Sequence, residues 1–114
     1  MTLIYKILSR AEWEAAQAAG QLEGSAVDLA DGFIHLSGAD QAQATAGKYF
    51  VGQADLVLLG VEAEALGEAL KWEASRGGAL FPHLYRPLLT SEVVTRKALA
   101  LDADGVPQLG VLSA

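Results

Sequence analysis

His35 and His83 are the only two histidines of the chain, and each stands in a short run beside other groups able to move protons or hold a ligand. His35 lies in Asp31-Gly32-Phe33-Ile34-His35-Leu36-Ser37, and His83 in Phe81-Pro82-His83-Leu84-Tyr85. An imidazole titrates near neutrality, so His35 can act as a general base or donate a hydrogen bond to a ligand. Ser37 follows two residues on, and in an extended segment it shares the face of His35. The plainer alternatives are a core histidine satisfied by backbone and a serine that only caps a helix. His83 and Tyr85 are also two apart, so imidazole and phenol point the same way. They suit ligand binding, proton transfer or a structural lock between the two side chains.

Glu73 follows Trp72. A carboxylate beside a large aromatic is expected to lose some water and to have a raised pKa, which fits an acid, a base or an acceptor for ribose hydroxyls. Spacing alone favours an exposed charge on the polar face with Lys71. Lys6 sits amid Leu, Ile and Tyr, an uncommon setting for lysine. It either snorkels to the surface or supplies the positive charge of a site for an acidic ligand. No spacing of His, Asp and Glu matches a metal signature, so no metal is predicted.

The elements must bring these groups together. Residues 3–8 read as a strand. Ser9 and Glu12 form a capping box for a helix that runs to about Ala19 and stops at Gly20. Residues 21–31 lack periodicity and are predicted as a surface loop. A short strand covers 33–36. Ser37 and Asp40 then predict a second capping box before a helix over about 38–50. The free N–H groups at that start, next to His35, outline a small anion site. Residues 55–62 are apolar on both faces and predict a central strand. Residues 64–67 predict a helical turn, 69–73 a strand, and Gly77-Gly78 a turn. Pro82 and Pro87 predict an edge-like path for 80–88. Residues 91–101 read as a last strand, and 106–114 as a weakly specified tail. Two helices and about five strands give an α+β fold in one domain over 1–114.

Bulk composition narrows the function classes. The 114 residues carry a net charge of -6, which argues against nucleic acid and anionic membranes as partners. No cysteine is present, so thiolate chemistry, disulfides and cysteine metal sites are excluded, and a cytoplasmic location fits. The longest apolar run, 56–61, is far too short to span a bilayer, and no signal peptide is visible at the start.

Several stretches together resemble a known bacterial family. Asp31 to Ser37, the following Gln41 and Thr45, Leu70-Lys71-Trp72-Glu73, and Phe81 to Tyr85 are similar in order and spacing to the domain of unknown function 952, from Ile4 to about Val94. That resemblance implies a small cytoplasmic domain without an established biochemical role. More loosely, a strand, a Trp-containing helix, a glycine and then His-Leu-Ser look like the start of the RNA 2'-phosphotransferases and the mono-ADP-ribosyltransferases. This resemblance implies a split, strongly bent, mixed β-sheet with a cleft for NAD. Lys6 follows Tyr5 where those enzymes carry a histidine, and their arginine set is missing. Arg86 stands where the closer family has glycine before proline.

Three readings compete. As an enzyme-like domain, His35 and Glu73 would be catalytic, and Lys6, Ser37, Gln41, His83 and Tyr85 would bind a nucleotide, an NAD-like molecule or a phosphorylated ligand. The phosphate would sit at the helix start after Ser37. As a non-catalytic module, the same residues would hold a small metabolite or a protein partner. In the third reading the motifs serve folding alone.

Overall fold

The computed structural model describes the backbone of residues 1–114 and every side chain except that of Arg76. In chain order the elements are β1 (Leu3–Ser9), α1 (Arg10–Ala19), β2 (Gln21–Leu22), α2 (Ala26–Asp31), β3 (Ile34–His35), β4 (Ser37–Gly38), α3 (Ala42–Tyr49) and β5 (Leu56–Glu62). A 3₁₀ segment (Ala63–Ala69) leads to β6 (Leu70–Ala74), β7 (Leu80–Leu84), β8 (Leu88–Leu89), β9 (Val93–Leu101) and β10 (Pro107–Gln108).

The apolar run of β5 makes it the middle strand of the main sheet, in the order β10-β9-β5-β1-β4. Its side chains alternate between two cores. Val57, Leu59 and Val61 join Ile4 and Leu8 of β1 against Trp13 and Ala16 of α1 and against Leu84 and Leu88. Leu56 and Leu58 join Tyr5 and Ile7 against Ala42 and Ala46 of α3, with Leu109 sealing the end. Each such Leu or Ile contributes about 1.5–3 kcal/mol through burial, so β1 and β5 anchor everything else. The tail is more firmly held than its composition predicts. Gln43 donates to the Pro107 carbonyl and accepts from the Leu109 N–H, and the Tyr5 hydroxyl donates to the Ser113 carbonyl.

The sheet divides at Leu36. On one side of it, β3 pairs with β7, placing His35 opposite His83; on the other, β4 pairs with β1, placing Ser37 opposite Tyr5. A smaller sheet of order β3-β7-β6 therefore stands beside the main one, and β2 pairs with β8 in a third. The expected split is present. All strand pairs are antiparallel, so the expectation of a mixed sheet is corrected.

Local chemistry explains three further departures. The 80–88 stretch is not an edge: β7 is the centre of its sheet. Pro82 is tolerated because its carbonyl accepts from the Leu36 N–H at 3.1 Å. A residue's N–H and C=O lie on the same side of a strand, so the missing donor falls just beyond the end of β3 and not toward β6. The predicted 21–31 loop contains β2 and α2, a helix of only 6 residues, too short to show periodicity. It ends at Gly32 in the left-handed conformation. Finally, the Ser37–Asp40 capping box does not form. Pairing with Tyr5 draws Ser37 into β4, and α3 begins at Ala42 with Gln41 as its N-cap. The box predicted at Ser9 and Glu12 does form.

Candidate functional site

The first half of the site is built on a residue that sequence reasoning passed over. The Asp28 side chain on α2 is fully buried, and four donors converge on its two oxygens. Oδ2 accepts from Lys6 Nζ at 2.8 Å and from the Ser25 N–H at 2.9 Å. Oδ1 accepts from the His35 N–H at 3.1 Å and meets His35 Nδ1 at 2.6 Å. Burial pushes the Asp28 carboxyl up, but the Lys6 ammonium and the two backbone N–H groups outweigh it and hold the carboxyl below its ordinary range. On the other side of the ring, His35 Nε2 lies 2.9 Å from Asp31 Oδ2. An imidazole that carries both protons donates to each carboxylate. Lys6 therefore does not snorkel: it is buried and neutralises Asp28.

The second half lies across β7. His83 Nδ1 is 2.8 Å from Glu73 Oε1, and the Tyr85 hydroxyl donates to the same oxygen at 2.6 Å. The expected rise in the pKa of Glu73 is not found. Donation from Tyr85, and then from His83, holds its carboxyl below the ordinary range. Trp72 cannot oppose this, because neighbouring residues of β6 point to opposite faces. Phe33 ties the halves together. Its ring stacks on His83 at 4.1 Å and 26°, and lies 4.6 Å from the His35 ring and 5.2 Å from that of Tyr85. The two imidazoles stand 5.6 Å apart, edge to face.

A cavity of about 510 Å³ opens beside them, between β1 and β7, where the sheet divides. Lys6, His35, Ser37 and His83 line it, as do Thr45 and Tyr49 of α3, with Ile7, Val27 and Phe81 among its apolar walls. Four predicted site residues thus share one hollow, and three do not line it. Glu73 stands behind His83, while Tyr85 borders a separate depression of about 190 Å³. Gln41 joins two segments instead, accepting from the Gly38 N–H and donating to the Leu80 carbonyl. The anion site expected after Ser37 is displaced, since α3 starts further on and Ser37 Oγ lies 3.0 Å from Thr45 Oγ1. Among the described residues, no group of three His, Asp or Glu side chains could hold a metal ion. Asp28 and Phe33 were the residues to find. Ser25 three positions before Asp28 is a capping signal, and Phe33 alternates with His35.

A curled antiparallel sheet with few helices, divided around a histidine-lined hollow, defines a small α+β domain. The family model described as "Protein of unknown function (DUF952)" matches residues 7–96, and the chain belongs to that family. Among solved structures it is similar to the crystal structure of protein CC0527 from Caulobacter crescentus. That protein is 78% identical over 96% of each chain, with a TM-score of 0.94. The solution NMR structure of the same protein superposes with a TM-score of 0.87 at 78% identity, covering 96% of this chain and 95% of that one. No curated protein matches.

Proposed function

We propose that this domain binds a small molecule in the cavity between β1 and β7, and that His35 and His83 exchange hydrogen bonds or protons with it. One observation carries the reading. Two imidazoles on the wall of one hollow each have Nδ1 fixed on a carboxylate, Asp28 for His35 and Glu73 for His83. Both ring nitrogens of His35 meet carboxylates, and a ligand reaches its Nε2 by displacing the half-exposed Asp31. For His83 the carboxylate on Nδ1 sets the tautomer and leaves Nε2 for the ligand, as proton-transfer sites require. In neutral His83 that remaining nitrogen, Nε2, is an acceptor. Glu73 acts through His83, and Tyr85 through Glu73. The volume lies within the range of roughly 300–1,000 Å³ usual for small-molecule sites.

A nucleotide or NAD-like ligand, and a reaction related to ADP-ribosyl or phosphoryl transfer, is the finer form of this proposal. Its support is the resemblance of the motifs and the placement of the cavity where the sheet divides. The phosphate would have to find donors other than the start of α3. A bacterial, cytoplasmic setting belongs to the same proposal, supported by the Caulobacter relatives and the cysteine-free composition. The same hollow without turnover would be a metabolite-binding module.

Amide chemical-shift titration tests the reading, with NAD, ADP-ribose, nucleoside monophosphates and small carbonyl compounds as probes. Shifts confined to residues 5–7, 25–31, 35–37, 45–50, 75, 81 and 83, and weakened in His35→Gln, are expected. Shifts from none of the probes, or shifts that His35→Gln and His83→Gln leave unchanged, would overturn it.

A further inference from the structure

Lys6 is a buried nucleophile on the wall of the cavity, and ligand binding by the two imidazoles gives it no task. A lysine stem normally carries its ammonium out to water. Here the side chain stays inside, lines the cavity, and makes a hydrogen bond to Asp28 Oδ2 at 2.8 Å. From there a continuous path of contacts leads to solvent. Asp28 Oδ1 meets His35 Nδ1 at 2.6 Å, and His35 Nε2 meets Asp31 Oδ2 at 2.9 Å. The Asp31 side chain is 47% exposed. Each contact lies within proton-transfer reach, about 2.6–3.2 Å.

Charge bookkeeping selects the ligand class. Two carboxylates, Asp28 and Asp31, face one ammonium and one imidazole. Lys6 is already paired with Asp28 and His35 lies between two carboxylates, so neither is free to hold an oxyanion. A neutral carbonyl suits such a site, with its apolar substituents against Ile7, Val27 and Phe81.

We propose that Lys6 condenses with a small neutral aldehyde or ketone in this cavity, forming a protonated Schiff base beside Asp28. The Lys6 ammonium passes one proton to Asp28 Oδ2, which frees the nitrogen lone pair. Nitrogen then bonds to the carbonyl carbon, and the C=O π pair moves to oxygen. A second nitrogen proton is transferred to that oxygen, giving a carbinolamine. Asp28 returns its proton to the hydroxyl, the C–O bond breaks, and water leaves. Of the three ammonium protons, two depart in water and one stays on the iminium. The iminium keeps the unit positive charge, so Asp28 never loses its counter-ion.

This inference rests on the cavity being a ligand site, so its test must separate the two. The protein is incubated with acetaldehyde, glyceraldehyde or butanone and sodium cyanoborohydride, and the adducts are mapped by peptide mass. Lys48, Lys71 and Lys97 are exposed and serve as internal controls. Labelling of Lys6 should exceed that of each control by about ten-fold or more, because the carbonyl is held against the amine. Lys6→Arg keeps the charge beside Asp28 and should abolish the adduct while the fold persists. Labelling of Lys6 no faster than of Lys48 and Lys71 overturns the Schiff base. If amide shifts still mark the cavity, only this step falls; if they too are missing, the binding reading falls with it.

Discussion

Asp28→Asn is the most informative single change. The substitution keeps the shape of the side chain and removes its charge. Four donors face the two carboxylate oxygens, and the amide offers a single oxygen. Its NH2 group must then confront either Lys6 Nζ with the Ser25 N–H, or the two His35 donors. Lys6 would be left buried without a counter-ion. Breaking a buried pair from one side costs about 3–5 kcal/mol. A domain of this kind holds about 5–15 kcal/mol in all, so the loss is a large share. Urea denaturation at neutral pH, extrapolated to water, measures it. Adding Lys6→Met removes the orphaned ammonium, and the double variant should regain about 1 kcal/mol or more as coupling. The pH dependence follows from the depressed carboxyl of folded Asp28. Its contribution is complete above the ordinary value near 3.9, and is lost as the pH falls through the lower folded value. The wild type should therefore lose more stability on acidification than Asp28→Asn does. A cost below about 1 kcal/mol for Asp28→Asn, with no coupling to Lys6→Met, would refute the account of the network.

Other consequences can be measured with equal ease. Donation to Glu73 pushes the Tyr85 phenol up, so Glu73→Gln should let Tyr85 ionise at lower pH, as read by ultraviolet difference absorption; an unmoved midpoint would contradict the contact. Arg86 reaches both oxygens of Glu92, at 2.9 and 2.8 Å, and a lysine can reach one, so Arg86→Lys should cost about 1 kcal/mol in chemical denaturation. Because donation from Arg86 also holds the Glu92 carboxyl low, that deficit should shrink as the pH falls through the acid range. A Cβ at Gly60 would collide with Thr95 Oγ1 and crowd the Tyr5 ring at 3.2 Å, so Gly60→Ala should destabilise by about 1–3 kcal/mol; a neutral effect would mean that β9 shifts freely.

Long apolar periodicity and caps are readable in the chain itself. The run 56–62 declares a strand covered on both faces, and Ser9 with Glu12 declares the start of α1. Short elements were not readable. α2 and β2 hold too few residues for a period to show, and Ser37 carries a helix-start signal that strand pairing with Tyr5 overrides. The site followed the same division. Its histidines and Tyr85 stood out by type and spacing. Asp28 did not, because its role arises from Lys6, 22 positions away, and from His35, 7 positions away.

Taken alone, the order of residues determined the class of fold, the central strand, the first helix and the identity of the two imidazoles, since each of these is written in neighbours along the chain. Tertiary structure decided which carboxylate meets which base. It put Asp28 between Lys6 and His35, set Glu73 behind His83 rather than in the hollow, and moved the start of α3 away from Ser37. The physical reason is that burial and hydrogen bonding act through space. A buried ammonium must find a counter-charge wherever the packed sheet brings one within reach, and no local pattern records that distance.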